Sequence, residues 1–306
     1  MPPYKTKIIL NPNADRGNAW RQASDLRPIV EEFGGADWAG TVYPTHAVKL
    51  AEQAALEGYE LIISVGGDGT IHEVINGVMR VPAEKRPRIG VVPMGSGNDF
   101  AHAVGMQDNP ALALRQIFTG TPRRTDLAVV TDEHGRREYI DNTLGAGFNA
   151  TVTIRSRTLP SFLRGFIVYF TAVVQTIILN HDAAHIQFRS DQQEWEDDIL
   201  MLGICNGPRE GGGFRVAPDS VNNDGVLNYV AISKVSRPMM FRLLPEVMNG
   251  THGNFKQVRL ETLKQAKITS DRPLNIHIDG EIFAGFGTDV RQLDFELVPG
   301  AIEVVV

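Results

Sequence analysis

The fold this sequence predicts is a doubly wound α/β first half followed by a mainly antiparallel β-sandwich. Apolar strand patterns alternate with amphipathic helix patterns up to about Thr125. Beyond Asp126 short β-rich runs take over, divided by turn signals such as Asn223-Asp224-Gly225 and Asp279-Gly280. In the first half, two glycine turns each carry a carboxylate and each follow a strand pattern. The expected division is residues 1–125 and residues 126–306.

Strands are expected at 7–10, 38–42, 61–65 and 88–92, and helices at 19–33, 47–57, 71–79 and 111–118. Within 47–57, Ala47, Leu50, Ala51 and Ala54 recur at helical spacing and mark one apolar face. Strands that alternate with helices build a mostly parallel, Rossmann-like sheet, because parallel neighbours need a crossover. In the second half the strand-like runs are 127–130, 139–144, 199–205, 226–232, 274–278, 293–297 and 302–306. Only 163–179 and 238–248 look helical there. Short runs with Asp-Gly turns between them fit antiparallel pairing. The active cleft is expected between the two domains. No internal repeat or low-complexity tract appears.

Composition narrows the partners. At 306 residues the chain has room for two cores, and 42% hydrophobic with 22% charged residues is ordinary for a soluble globular protein. A net charge of −6, with no offsetting basic face, excludes nucleic acid as an expected partner. Cys205 is the only cysteine, so no internal disulfide forms, and Leu202, Gly203 and Ile204 around it predict a buried thiol. The opening Met1-Pro2-Pro3-Tyr4-Lys5 lacks the apolar segment of a signal peptide, so a cytoplasmic location is expected. Arg164 and Gln175 interrupt the apolar stretch 162–179, which falls short of the roughly 20 apolar residues a bilayer requires. A buried helix is expected, with a lipid-binding cleft along part of it as the alternative.

Chemistry concentrates at Gly66-Gly67-Asp68-Gly69-Thr70, between Leu61-Ile62-Ile63-Ser64-Val65 and a helix start at Ile71-His72-Glu73. Glycines let backbone N–H groups approach a phosphate, and the helix end adds partial positive charge. A carboxylate at Asp68 would repel a bare phosphate, which makes sense where a divalent cation lies between them. Such a turn is common in α/β proteins, so the second turn decides. Pro93-Met94-Gly95-Ser96-Gly97-Asn98-Asp99 follows the strand pattern Ile89-Gly90-Val91-Val92. Both turns then fall at the carboxyl edge of one sheet, where open α/β sheets bind ligands. Two acidic groups there suit hydrated Mg²⁺, and the reaction indicated is ATP-dependent phosphoryl transfer.

With Asn11-Pro12, Ala217-Pro218-Asp219, Asn223-Asp224-Gly225 and Asp279-Gly280-Glu281 added in order, nearly the whole chain resembles the diacylglycerol kinase catalytic family, in its soluble bacterial lipid-kinase branch. Gly66–Thr70 alone is shared with NAD kinases and phosphofructokinase relatives; the ordered set is specific. The resemblance implies nucleotide contacts at Asn11, Pro12, Thr41, Gly66, Gly67, Asp68, Gly69, Thr70, Ile71, His72 and Ser96. Two departures stand out: the first turn, Asn11-Pro12-Asn13-Ala14-Asp15-Arg16-Gly17, is longer than the family's, and Ser96 replaces a more usual Thr. The resemblance also implies a metal-and-water network through Asp68, Asp99 and Asp126, and a structural Mg²⁺ at Asp224 with backbone oxygens of Val221 and Val226. Read from the residues alone, Asp126 has a turn cap as its alternative, and Asn223-Asp224-Gly225 is simply a good β-turn.

Asp279-Gly280-Glu281 reads on its own as a hairpin turn, and the family places its catalytic base within it. Glu281 is the first choice and Asp279 the second. His181 and His185 have the i,i+4 spacing of a zinc-binding helix, but Asn180-His181-Asp182 looks like a helix end and the expected Glu is missing. The implied activity is an ATP- and Mg²⁺-dependent lipid kinase acting on the hydroxyl of diacylglycerol or a related lipid alcohol, with phosphatidic acid or its analogue as product. Alternatives are a sphingoid, ceramide or phosphatidylglycerol kinase, an NAD kinase-like small-molecule kinase, and a non-catalytic lipid- or nucleotide-binding regulator. The implied partners are ATP and a lipid at the membrane surface, with transient peripheral contact; a homodimer is compatible with them.

Overall fold

The computed structural model describes residues 4–160 and 166–306. The chain forms two compact units, Met1–Asp126 with Pro299–Val306, and Leu127–Val298. In the first unit the order is β1 (Thr6–Leu10), α1 (Asn18–Glu32), β2 (Asp37–Gly40), α2 (His46–Leu56), β3 (Leu61–Gly66), α3 (Asp68–Val78), β4 (Arg88–Pro93), α4 (Asp99–Val104) and α5 (Pro110–Thr119). The strands run parallel in the order β2-β1-β3-β4, with Leu10 opposite Gly40 and Val65, and Gly66 opposite Pro93. Their carboxyl ends therefore finish level.

The helices cover this sheet in two groups. α2 and α3 pack on each other and on β1 and β3, while α5 packs on β4 and α1. Ile62, Ile63 and Ile89 on the strands, with Val74 and Ile75 on α3, are fully buried, as near-continuous apolar strands of a sheet covered on both faces require. α2 receives no cap from its own Thr45 side chain. Glu73 of α3 substitutes, accepting from the N–H groups of Thr45 (2.8 Å) and Ala47 (3.0 Å), which locks the two helices together. An acidic cap also opposes the positive end of the helix dipole.

The second unit is the expected antiparallel sandwich with helices added. Its elements are β5 (Pro122–Asp132, shared with the first unit), β6 (Arg137–Ile140), β7 (Thr143–Gly147), α6 (Phe148–Ser156), α7 (Phe166–Leu179), β8 (Ala184–Ser190), β9 (Glu194–Cys205), β10 (Leu227–Ser233), α8 (Arg237–Asn249), β11 (Val258–Leu263), β12 (Gln265–Ser270), β13 (Ile276–Ile278), β14 (Glu281–Ala284) and β15 (Gln292–Val305). β9 pairs antiparallel with β7, β8 and β10, and β13 with β7 and β14. β9 from Ile199 onward and β10 over Tyr229–Ile232 are buried on both faces. Leu202, Ile204, Tyr229 and Ala231 enter one core with Phe188, Ile268 and Leu293. Met201, Cys205, Val230 and Ile232 enter another, shared with Val152, Val173, Ile177 and Leu243 of the helices. Burial pushes the Cys205 thiol pKa up, as expected of an inert core cysteine.

Several elements differ from the sequence expectation. The strand expected at 139–144 is two strands, broken at Asp141-Asn142. Those expected at 293–297 and 302–306 are one, β15, whose last residues run parallel to β4 through Val304 and Ile89. Pro299–Val306 thus clusters with the first unit although the sequence boundary assigned it to the second. α6, β8, β11 and β12 had no expected counterpart. The helix expected at 163–179 is seen as Phe166–Leu179; residues 163–165 lie outside the described residues.

Candidate functional site

The expected nucleotide contacts of the first unit follow the carboxyl ends of its strands. Asn11, after β1, donates its backbone N–H to the Val65 carbonyl (3.0 Å) and its Nδ2 to Thr70 Oγ1 (3.2 Å), while Oδ1 accepts from the Asn13 N–H (3.0 Å). Pro12 is half-buried beside it. Thr41, after β2, is buried and donates its N–H to the Leu10 carbonyl (2.9 Å). Gly66–Thr70 follows β3 and Ser96, exposed, sits in the turn after β4.

The two glycine turns touch. A Cβ on Gly95 would lie 2.5 Å from Gly67 Cα, and one on Gly67 would lie 3.0 Å from Gly95 Cα. Gly67 has φ −95°, so it is needed for close approach and not for backbone freedom. The Met94 N–H donates to the Gly66 carbonyl (2.7 Å). Asn98 takes a left-handed conformation (φ 54°), which Asn tolerates, and its amide bridges Gly95: Oδ1 accepts from the Gly95 N–H (2.8 Å) and Nδ2 donates to the Gly95 carbonyl (3.1 Å). Asp68 completes the link. Its Oδ1 accepts from the N–H groups of Asp99 (2.6 Å) and Phe100 (3.3 Å), so a carboxylate of the first turn caps the helix that leaves the second.

One carboxylate oxygen each of Asp68 and Asp99 approaches Gly97. A Cβ there would lie 2.8 Å from Asp68 Oδ2 and 3.2 Å from Asp99 Oδ2. Hard carboxylate oxygens near one point suit a divalent cation such as Mg²⁺. Asp126 lies in β5, not in a turn, and its Oδ1 accepts from the Gly300 N–H (2.6 Å). Ligand atoms of Asp68, Asp99 and Asp126 do not gather within 4.8 Å of one another, so a network that includes Asp126 needs intervening water. The N–H groups of Thr70 and Ile71 already donate to the Gly67 carbonyl (2.9 and 3.3 Å), so amides facing a phosphate belong to the turn before them. Ile71 and His72 are buried side chains of α3, and their expected nucleotide contacts fall on the helix interior.

In the second unit Asp279 and Gly280 form the turn between β13 and β14, with φ 51° and 82°. These are the two positive values a type I′ hairpin requires. Asp279 is buried, and both its oxygens are engaged: Oδ1 accepts from the N–H groups of Asn142 (2.9 Å) and Thr143 (2.8 Å), Oδ2 from that of Asp141 (3.0 Å). Glu281 is half exposed and paired with Arg157 (2.7 Å), which also donates to the Gly280 carbonyl (2.8 Å). Geometry therefore separates the two carboxylates: Asp279 anchors the hairpin, and Glu281 stands open to solvent. Arg157 had no signal in the sequence, its partner being 124 residues away.

Asp224 Oδ1 accepts from the Val226 N–H (3.2 Å) and Gly225 has φ 77°, so the segment is a closed turn before β10, with Val221 exposed. His181 and His185 share no helix. α7 ends at Leu179, the His181 ring meets the Val235 carbonyl, and His185 lies on β8 with Nδ1 3.1 Å from Asp198 Oδ1.

Two domain profiles cover the chain. Residues 5–130 match the diacylglycerol kinase catalytic domain, and residues 142–306 match the YegS C-terminal NAD kinase beta sandwich-like domain. A Yersinia enterocolitica protein named "Probable lipid kinase YegS-like" is 31% identical over 258 residues, 84% of this chain and 82% of its own. A Bacillus anthracis crystal structure, described as a "putative diacylglycerol kinase", superposes with a TM-score of 0.81 at 22% identity over 100% of this chain and 96% of that one. Yeast NADH kinase, solved with NADH, shares the fold at a TM-score of 0.51 and 11% identity, over 99% of this chain and 84% of that one.

Gly95→Ala is expected to force the two turns apart and cost about 1–3 kcal/mol by overpacking against backbone that cannot yield. Urea denaturation checks it, and an unchanged midpoint would show that the turns do not need to touch. Asp279→Asn presents an amide N–H₂ to a nest of N–H donors and strands at least one of them. The expected loss is about 1–3 kcal/mol, a fall of roughly 2–12 °C in Tm for a unit of this size. Calorimetry showing an undiminished Tm would contradict the anchoring role.

Proposed function

This chain belongs to the diacylglycerol kinase catalytic family, in its YegS-like branch, and we propose that it is a lipid kinase that uses ATP and Mg²⁺ to phosphorylate the hydroxyl of diacylglycerol or a related lipid alcohol. The observation that carries the reading is the locked pair of glycine turns, with Asp68 and Asp99 presenting oxygens at Gly97 on the carboxyl edge of a parallel sheet. That arrangement offers backbone amides to phosphate oxygens and carboxylates to a cation.

Asn11, Pro12, Thr41, Gly66–Thr70 and Ser96 would line the nucleotide, with Gly67 and Gly95 permitting close approach of its phosphates. Mg²⁺, when bound, offsets charge that develops on the transferring phosphoryl group. Asp68 and Asp99 would hold it, Asp68 doing so while its other oxygen fixes the start of α4. Glu281 would take the proton of the lipid hydroxyl, and Arg157 orients its carboxylate. Asp279 would contribute by holding the hairpin that carries Glu281. Most of the acceleration then comes from positioning and charge neutralisation, with the base adding about 10²–10⁴-fold. A structural Mg²⁺ at Asp224, with carbonyl oxygens of Val221 and Val226, belongs to the same proposal. No helix among the described residues is long and apolar enough to cross a membrane, so the lipid would be met by peripheral contact.

Labelled ATP offered with diacylglycerol in detergent micelles or with NAD tests the acceptor class: label in the lipid supports the proposal, and label in NAD alone overturns it. In the same assay Asp68→Asn keeps the cap on α4 but removes the charge, and turnover should fall at least about 100-fold. Glu281→Gln should lower kcat by about 10²–10⁴-fold with ATP affinity nearly unchanged. Near-normal turnover in both variants would remove these residues from the mechanism.

A further inference from the structure

The second unit holds a cavity between α6, α7, α8 and the outer face of β9 and β10. Val152, Val173, Ile177, Leu200, Phe214 and Leu243 make its wall apolar, and its volume is about 90 Å³. A wall of this composition suits part of a hydrocarbon chain. The polar exceptions are Glu210, Asn149 and Tyr169. The Tyr169 hydroxyl lies 3.7 Å from where a Cβ on Gly280 would sit, one residue before Glu281.

Glu210 is placed deliberately. Its N–H donates to the Phe214 carbonyl (2.8 Å) and the Phe214 N–H donates back (3.0 Å), closing a loop over Gly211-Gly212-Gly213. A Cβ on Gly211 would lie 2.9 Å from the Tyr169 ring and one on Gly213 2.8 Å from the Phe166 ring, so the loop lies flat on α7 as only glycine permits. Behind Glu210, His277 on β13 is fully buried, with Nε2 2.8 Å from Glu210 Oε1. Neither ring nitrogen of His277 makes an aligned hydrogen bond among the described residues. Asn149 Nδ2 is 3.5 Å from Oε2. Gly145 makes room for the group: a Cβ there would lie 2.0 Å from Asn149 Nδ2 and 2.3 Å from His277 Nε2. A carboxylate set in an apolar wall and backed by a buried imidazole is costly, and the mechanism above does not use it.

We propose that Glu210 is a specificity-determining residue that selects a lipid alcohol bearing a hydrogen-bond donor, such as an amide N–H, beside the hydroxyl to be phosphorylated. This rests on the lipid-kinase reading and sharpens its substrate class. A carboxylate only accepts hydrogen bonds. A lipid whose linkages are all esters sets carbonyl and ether oxygens against it and leaves Glu210 only its contacts with His277 and Asn149; an amide at the same place donates a further hydrogen bond. Acceptor oxygens set against a carboxylate repel it, so the ester analogue binds less well than the amide. His277 and Asn149 act as positioning residues that hold Glu210 at the wall.

A matched pair tests this without any mutation: N-(2-hydroxyethyl)oleamide and 2-hydroxyethyl oleate share chain, carbonyl and hydroxyl and differ only in N–H against O. Both kcat/KM in detergent micelles and equilibrium Kd by titration calorimetry are measured. The wild-type protein should favour the amide by about tenfold or more in both, and Glu210→Leu should bring the ratio to within about twofold of unity. Equal or better use of the ester by wild type, or discrimination that survives Glu210→Leu, overturns the assignment; if that variant does not fold, the wild-type pair decides. Product from both lipids without preference defeats this inference and leaves the kinase reading standing. Preferential binding of the amide with no phosphorylated product from any lipid supports donor selection and defeats the kinase reading.

Discussion

Everything proposed for the first unit depends on two backbones meeting at Gly67 and Gly95. Side chains at either position would separate the turns, because the atoms met are backbone Cα and cannot rotate away. With the turns in contact, Asp68 reaches the amides that begin α4, and one oxygen is spent on structure while the other faces Gly97 beside Asp99. A single carboxylate thus caps α4 and, in the proposed function, would also hold the cation. Parallel strands with level ends make this possible, since Gly66 and Pro93 stand opposite each other in register.

The second unit solves a different problem. β9 and β10 carry apolar residues on both faces, so one face completes the sandwich core while the other is left for helices. The cavity that Glu210 lines lies between that face and the helices. Polar groups of the second unit are each fixed in place: Asp279 by the backbone of residues 141–143, Glu281 by the Arg157 side chain, and the Glu210 backbone by its own glycine loop. Rigid support of this kind is what a site needs if its groups are to be placed to fractions of an ångström.

Legibility from sequence followed locality. Expected strands 61–65 and 88–92 match β3 and β4 to within a residue, because an apolar run closed by a glycine turn is a local signal. The two turns singled out in the sequence are the two that meet in the fold. What escaped was set at long range. The strand expected at 139–144 breaks because Asp279, 136 to 138 residues on, collects the N–H groups of Asp141, Asn142 and Thr143. α6 hid because Asn149, Thr151 and Thr153 are buried polar residues that erase its apolar periodicity. β15 runs on through Pro299 and Gly300, a pair that reads as a stop, because Asp126 receives the Gly300 N–H. Glu210 and Arg157 carry no local signature at all; their roles come from where the chain returns.

The most direct measurement of the central claim is hydrogen–deuterium exchange with and without Mg²⁺ and a non-hydrolysable ATP analogue. A nucleotide cradled by the two turns should slow exchange in peptides covering Gly66–Thr70 and 93–100, and Gly67→Val should abolish that protection. Protection confined to the second unit, or none at either turn at saturating nucleotide, would contradict the account.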